Sequence, residues 1–290
     1  MTSDGTIRFP GLGIVIRGLS KGFSVFGYHV AFYGILLTLG MIAGYFLADW
    51  NAKRLGKEKD HYIDLVIIEI ITCVIGARIY YVIFAWDRFK DNIWSIFNLR
   101  TGGMAIYGSV IAGILTLWIY CKKKGWKFLE EGDILVAGLT IGQIIGRWGN
   151  FVNREAFGDY TNGLFRMLLP RADVTQSDIT QKMLDHLVTI DGVEFISVHP
   201  TFFYEQVWNI GLLIILLVAI KHKKFDGEIF YLYLAGYGLG RTWIESLRTD
   251  QLKFWGTNVA VSEVLSFVLF LVFASVIIIK RVRLKKSLKK

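Results

Sequence analysis

Charge, proline and cysteine are all scarce in this chain of 290 residues. Only 20% of the residues are charged, against about a quarter in a soluble globular domain. There are three prolines, and no Pro/Ser-rich stretch divides the sequence into modules. The two cysteines, Cys73 and Cys121, lie within or at the end of apolar runs. That placement excludes a disulfide framework or a cysteine-based metal site and reads as buried or interfacial thiols. No His-Glu-x-x-His pair and no serine–lysine or aspartate dyad is present, which argues against an intramembrane protease. No internal repeat relates the two halves, which argues against a transporter or channel built by duplication. The first 26 residues hold Arg8, Arg17 and Lys21 but no apolar core of signal-peptide type, so no cleavable signal is expected.

What the chain has in quantity is apolar length. Hydrophobic residues make up 53% of it, gathered in runs near 27–49, 63–85, 102–121, 132–146, 202–220, 228–247 and 257–279. Each approaches the ~20 residues that cross a bilayer as helix. The fourth is the shortest, contains Gln143, and reads as continuing towards Phe151. Several aromatics sit at the ends of the runs (Trp50, Trp86, Trp126, Trp148 and Trp255), as an interfacial belt requires. The expected fold is all-α, a polytopic integral membrane protein of about seven transmembrane helices. It forms one membrane-embedded domain over 1–290, with an extracytoplasmic segment at about 159–200. Gly138, Gly142 and Gly146 form a ridge at four-residue spacing, and Gly40/Gly44 and Gly236/Gly240 repeat it. Such ridges let helices approach closely; they predict packing, not chemistry.

Lysine and arginine orient the bundle. The connections 50–62, 122–131 and 221–227 with the tail 280–290 hold 18 of them in about 41 residues; the alternate set holds 13 in about 106. The dense set includes Lys59, Lys289 and Lys290, the sparse one Arg100. The dense set belongs in the cytoplasm, which puts the N-terminus outside and the C-terminus inside. The net charge of +9 is then a topology signal plus attraction to anionic membrane lipids. Nucleic-acid binding does not fit, because the cations are scattered over loops and not gathered in one soluble module.

Two clusters carry the chemistry. The run Gly146-Arg147-Trp148-Gly149-Asn150-Phe151-Val152-Asn153-Arg154-Glu155-Ala156-Phe157-Gly158 places Arg, Asn and Glu at the end of an apolar stretch. Ionisable groups at a membrane boundary are costly and seldom kept without a task. In the sixth run, Tyr237, Arg241, Glu245 and Arg248 fall within about 80° of one helix face. That face admits two readings, a structural Arg241–Glu245 pair or a cavity where Arg241 meets an anion. The second arginine at Arg147 favours the anion. Guanidinium forks on two helices suit a phosphate, whose several oxygens they can bind in pairs. Arg78 and Asp133 are expected to serve as partners for buried groups. Glu69 faces the opposite side of its helix from Arg78, so those two do not pair locally.

The run from Gly146 to Gly158 resembles the diagnostic motif of the bacterial prolipoprotein diacylglyceryl transferases, Gly-Arg-x-Gly-Asn-Phe-x-Asn-x-Glu-x-x-Gly. The likeness extends to Tyr33-Gly34, to His199-Pro200-Thr201 with Tyr204-Glu205, and to the segment from Gly236 to Arg248. It covers nearly the whole chain. The resemblance implies transfer of the diacylglyceryl group of phosphatidylglycerol to the lipobox cysteine in a preprolipoprotein signal peptide, with glycerol 1-phosphate released. It also implies seven spans with the N-terminus outside, no metal or organic cofactor, and a site facing the outer leaflet of a bacterial cell membrane. Its implied catalytic residues are Arg147, Arg241 and Tyr107. Its implied substrate-binding residues are Arg147, Tyr33, Asn150, Asn153, Glu155, Gly158, Tyr237 and Glu245. One position departs from the pattern. Many members have histidine in a His-Gly-Gly run where this chain has Tyr107-Gly108-Ser109. A tyrosine of pKa about 10 is a poor base at neutral pH, so Tyr107 is expected to donate a hydrogen bond to phosphate or glycerol.

Overall fold

The computed structural model describes residues 5–58, 62–99, 102–254, 257 and 259–287. Trp255, Lys59, Arg100, Lys289 and Lys290, named above, lie outside the described residues. The chain opens with strands β1 (Ile7–Phe9), β2 (Ile14–Ile16), β3 (Gly22–Val25) and β4 (Tyr28–Ala31), followed by helices α1 (Phe32–Arg54), α2 (Ile63–Phe84), α3 (Ile106–Lys124) and α4 (Phe128–Asn153). Strand β5 (Met167–Pro170), the single turn α5 (Gln181–Leu184) and strands β6 (Val188–Ile190) and β7 (Val193–Val198) come next, and α6 (Thr201–Ala219), α7 (Glu228–Glu245) and α8 (Val261–Ser287) complete it. Among the described residues, four helices are both long and apolar enough to cross a membrane, Phe32–Arg54, Ile63–Phe84, Thr201–His222 and Val261–Ser287. Along α2, Ile67, Ile71, Ile75 and Ile79 lie one turn apart, each about half exposed. An exposed apolar stripe of that kind suits an apolar environment and not water.

The expectation of an all-α chain is corrected. A five-stranded sheet, in the order β2-β1-β5-β7-β6, joins the amino terminus to the segment between α4 and α6, and β3 and β4 form a separate hairpin. That hairpin occupies Tyr28–Ala31, so the first helix starts at Phe32 and not near 27. The fourth helix is correspondingly longer than its apolar run and includes Asp133, buried within it. The segment 159–200 is a folded piece. Met167, Leu169, Ile196 and Val198 from its strands are packed with Ile7 and with Phe151, Val152, Phe157 and Phe202. The sheet thus buries its apolar face on the end of α4 and the start of α6, the two places that carry the motif.

The chain falls into two compact units, Met1–Gly44 with Val136–Lys290, and Tyr45–Leu135. In the first, the expected glycine packing is present. A Cβ built on Gly44 would stand 2.8 Å from the Gly138 carbonyl oxygen, and one on Gly40 would stand 3.1 Å from that of Gly142. The rising number on α1 meets the falling number on α4, so the two glycine ridges run antiparallel. Backbone cannot yield as a flexible side chain does. Gly44→Ala is therefore expected to cost about 1–3 kcal/mol, the usual range for overpacking, read as earlier thermal unfolding in detergent. In the second unit, α2 and α3 lie together, and a Cβ on Gly108 would meet the Gly76 carbonyl oxygen at 2.3 Å. Glu69 accepts from the Cys73 thiol and not from Arg78. Among the described residues, Arg78 takes no carboxylate either. Its guanidinium donates to the carbonyls of Ser95, Ile96, Asn98, Gly102 and Gly103, at 2.6–3.1 Å. It organises the connection that leads into α3.

Candidate active site

The site begins where α4 stops. Arg154 has φ +56°, in the left-handed region. The Arg154 amide donates to the Phe151 carbonyl at 3.1 Å, and the Glu155 amide donates to that of Asn150 at 3.0 Å. This is a Schellman ending, and it turns Glu155 back over the last turn of its own helix. Asn150 Nδ2 (3.0 Å) and Asn153 Nδ2 (3.3 Å) both donate to Glu155 Oε1. Glycine is the usual occupant of the left-handed position. Here Arg154 is kept by its buried guanidinium, which donates to the carbonyls of Gly5, Val152 and Leu19 and pairs with Asp173 at 3.3 Å. Burial lowers the Arg154 pKa, and the Asp173 charge opposes that shift.

One helical turn before Asn150 stands Arg147. Its Nη1 donates to Asn150 Oδ1 at 3.1 Å, so a single amide joins the guanidinium to the Glu155 carboxylate. Its Nε pairs with Glu205 Oε2 from α6. The other oxygen of Glu205 meets Arg241 Nη1 of α7 at 2.5 Å. Arg241 also pairs with Glu245, whose carboxylate accepts from Ser262 and lies 4.0 Å from Arg248. Arg248 in turn donates to both oxygens of Asp250. Burial alone would raise the Asp250 pKa; the bond to Arg248 and its charge outweigh that and hold it below the usual carboxylate value. Arg147, Glu205, Arg241, Glu245, Arg248 and Asp250 form a file of alternating charge. Of the two readings of the α7 face, the Arg241–Glu245 pair is present, and the Arg241 guanidinium is shared with Glu205 across from Arg147.

Backbone packing holds the three helices in register. The Gly158 amide donates to the His199 carbonyl at 3.0 Å, and the Asp159 amide donates to that of Leu247 at 2.8 Å. A Cβ on Gly158 would stand 2.8 Å from the His199 Cβ and 2.9 Å from the Leu247 oxygen. No larger residue fits between those chains. Gly149 plays the same part for Tyr33, whose ring would be 2.4 Å from an added Cβ. The Tyr33 phenol lies within electrostatic reach of Glu155 and Arg147. Tyr237, Trp208, Asn209 and Gly240 line a small hollow beside Glu205 and Arg241.

His199 Nδ1 faces the Tyr204 hydroxyl at 3.2 Å. Burial lowers the His199 pKa, Asp159 partly opposes this, and Lys182 adds to it. The unfolded chain, with a pKa of about 6.5, therefore takes up the proton first. Stability from this group is complete above pH ~6.5 and is lost as the pH falls through that value towards the folded pKa. The drop in melting temperature between pH 7 and pH 5 is expected to be smaller in His199→Gln than in the parent protein; equal drops would remove the histidine from the account.

The structure brings together Arg147, Asn150, Asn153, Glu155, Gly158, Tyr33, Tyr237, Arg241 and Glu245 in the first unit. Tyr107 belongs to the second, near the start of α3, with its ring 6.3 Å from that of Tyr80. The residue missing from the expected set is Glu205, which links the two arginines. Its only signal in the sequence was the Tyr204-Glu205 pair in the stretch of family likeness. A family model described as prolipoprotein diacylglyceryl transferase matches residues 21–279. A phosphatidylglycerol–prolipoprotein diacylglyceryl transferase of Clostridioides difficile (strain 630) is 42% identical over 230 residues, covering 79% of this chain and 83% of that protein. One of Finegoldia magna is 41% identical over 239 residues (82% and 87%), and one of Bacillus mycoides is 37% identical over 254 (88% and 89%). With the motif, the helices that carry it and these relatives in agreement, the chain belongs to the prolipoprotein diacylglyceryl transferase family.

Proposed function

We propose that the protein moves the diacylglyceryl group of phosphatidylglycerol onto the lipobox cysteine of a preprolipoprotein, forming a thioether and releasing glycerol 1-phosphate. The observation that carries this reading is the pair of guanidiniums from α4 and α7 meeting at Glu205. The reaction is substitution at an sp³ carbon. Its barrier falls when charge gathering on the departing phosphate meets fixed cations. Arg147 and Arg241 supply those cations, with Glu205 holding them in place before the lipid arrives. Asn150, Tyr237 and Tyr33 border the glycerol. Glu245 holds the other terminal nitrogen of Arg241.

The same reading takes the seven long helices as spans, with the amino terminus and the sheet outside and the lysine-rich ends inside. The bundle and its outer segment then work as one membrane-embedded transferase domain, whose site faces the outer leaflet of a bacterial cell membrane. The lipobox peptide approaches over the folded segment 159–200, and no cofactor is required. Purified protein in phosphatidylglycerol micelles should release glycerol phosphate only when a lipobox peptide is added. Release without peptide, or none with it, would remove the transfer reaction.

A further inference from the structure

The thiol needs a base. A free cysteine has pKa about 8.5, and the sequence has tyrosine, not histidine, in the Tyr107-Gly108-Ser109 run. The carboxylate of Glu155 is built for the task. Asn150 and Asn153 both donate to Oε1, and among the described residues no donor reaches Oε2. The side chain is exposed, on the same helix end as Arg147. Two amide donors fix the plane of the carboxylate while one oxygen stays open to accept. The Asn150 amide that donates to Glu155 also accepts from the phosphate-binding Arg147, so one side chain positions both the carboxylate and the cation.

Resting on the transfer reaction proposed above, we infer that Glu155 is its general base. The S–H proton passes to Glu155 Oε2 as the sulfur lone pair forms the S–C bond. The C–O bond to phosphate breaks and glycerol 1-phosphate leaves with its electron pair. The proton then passes from Glu155 to water at the exposed face. Asn150 and Asn153 are positioning residues for the base.

The test compares Glu155→Gln with the parent protein on two lipobox peptides, one with cysteine and one with selenocysteine. Gln keeps an oxygen for the asparagines but has an NH2 in place of the accepting oxygen. A selenol is already ionised at neutral pH and needs no base. Glu155→Gln should lose about 10²- to 10⁴-fold in kcat with the cysteine peptide, the usual share of a general base, and less than tenfold with the selenocysteine peptide. The ratio is internal to one variant, so a partly unfolded preparation does not alter it. In Glu155→Ala, added formate should restore part of the cysteine rate. Equal losses on both peptides, or no formate rescue, overturn the assignment. A parent protein inactive on both peptides overturns the transfer reaction itself, and the base with it.

Discussion

Arg147→Lys should lower kcat/KM by about 10²- to 10³-fold while leaving the protein folded. The side chain works through separate nitrogens. Nε pairs with Glu205 and Nη1 donates to Asn150, which leaves Nη2 for an incoming phosphate oxygen. Lysine brings the same charge on one nitrogen and cannot span those three directions. A hydrogen bond to a charged group contributes about 1.5–3 kcal/mol, and 1.36 kcal/mol is tenfold in rate. Losing one to two such bonds in the transition state spans about 1.5–6 kcal/mol, and the stated range, about 2.7–4.1 kcal/mol, lies inside it. The Asn150 amide also loses its anchor on one side, so Glu155 becomes less well fixed. Folding should survive because an ammonium still satisfies the Glu205 charge. Glycerol phosphate release gives the rate, and thermal unfolding in detergent checks the fold. A rate within threefold of the parent would show that charge alone suffices and that the fork has no role.

The parts of this molecule legible in its sequence are those with a local period. The apolar runs coincide with long helices among the described residues, with boundaries moved where a hairpin or a polar turn took over. The glycine spacing on α1 and α4 anticipated their close approach, because four-residue spacing marks one face of a helix. The sheet was missed for the opposite reason. Its strands are three to six residues long, and β1 finds β5 across most of the chain. One signal was there to be read. Asp191-Gly192 has φ of +53° and +76° and links Val188–Ile190 to Val193–Val198, the usual signature of a tight hairpin. In the site, Tyr237, Arg241, Glu245 and Arg248 share a face by arithmetic alone. Glu205 does not, because its two partners sit on α4 and α7 and no spacing along α6 points to either. Arg154 looked like a variable position in the motif. Its role depends on the carbonyls of Gly5 and Leu19, which only the folded amino terminus brings near.

Removing that unforeseen link should have the largest effect of any single change. In Glu205→Ala, Arg147 and Arg241 are left facing one another without the carboxylate they share. The Glu205 side chain is 7% exposed, and a neutral water in its place would not balance the two positive charges. Breaking a buried pair by deleting one partner costs about 3–5 kcal/mol; here two guanidiniums lose their partner at once. The arginines are expected to move apart, Arg241 towards Glu245 and Arg147 towards Asn150. Activity should fall by at least 10³-fold and thermal unfolding should come markedly earlier. Glu205→Gln keeps an acceptor but not the charge, and should lie between Ala and the parent on both measures. Because Arg147 and Glu205 act as one unit, the losses in Glu205→Ala and Arg147→Lys should not add in the double variant. The opposite outcome is physically distinct. If Glu205 only occupied the place of the phosphate, its removal would free both forks, tighten phosphatidylglycerol binding and raise kcat/KM. A lower KM for lipid with undiminished kcat in Glu205→Ala would therefore sink the view that this carboxylate sets the two arginines for the leaving group.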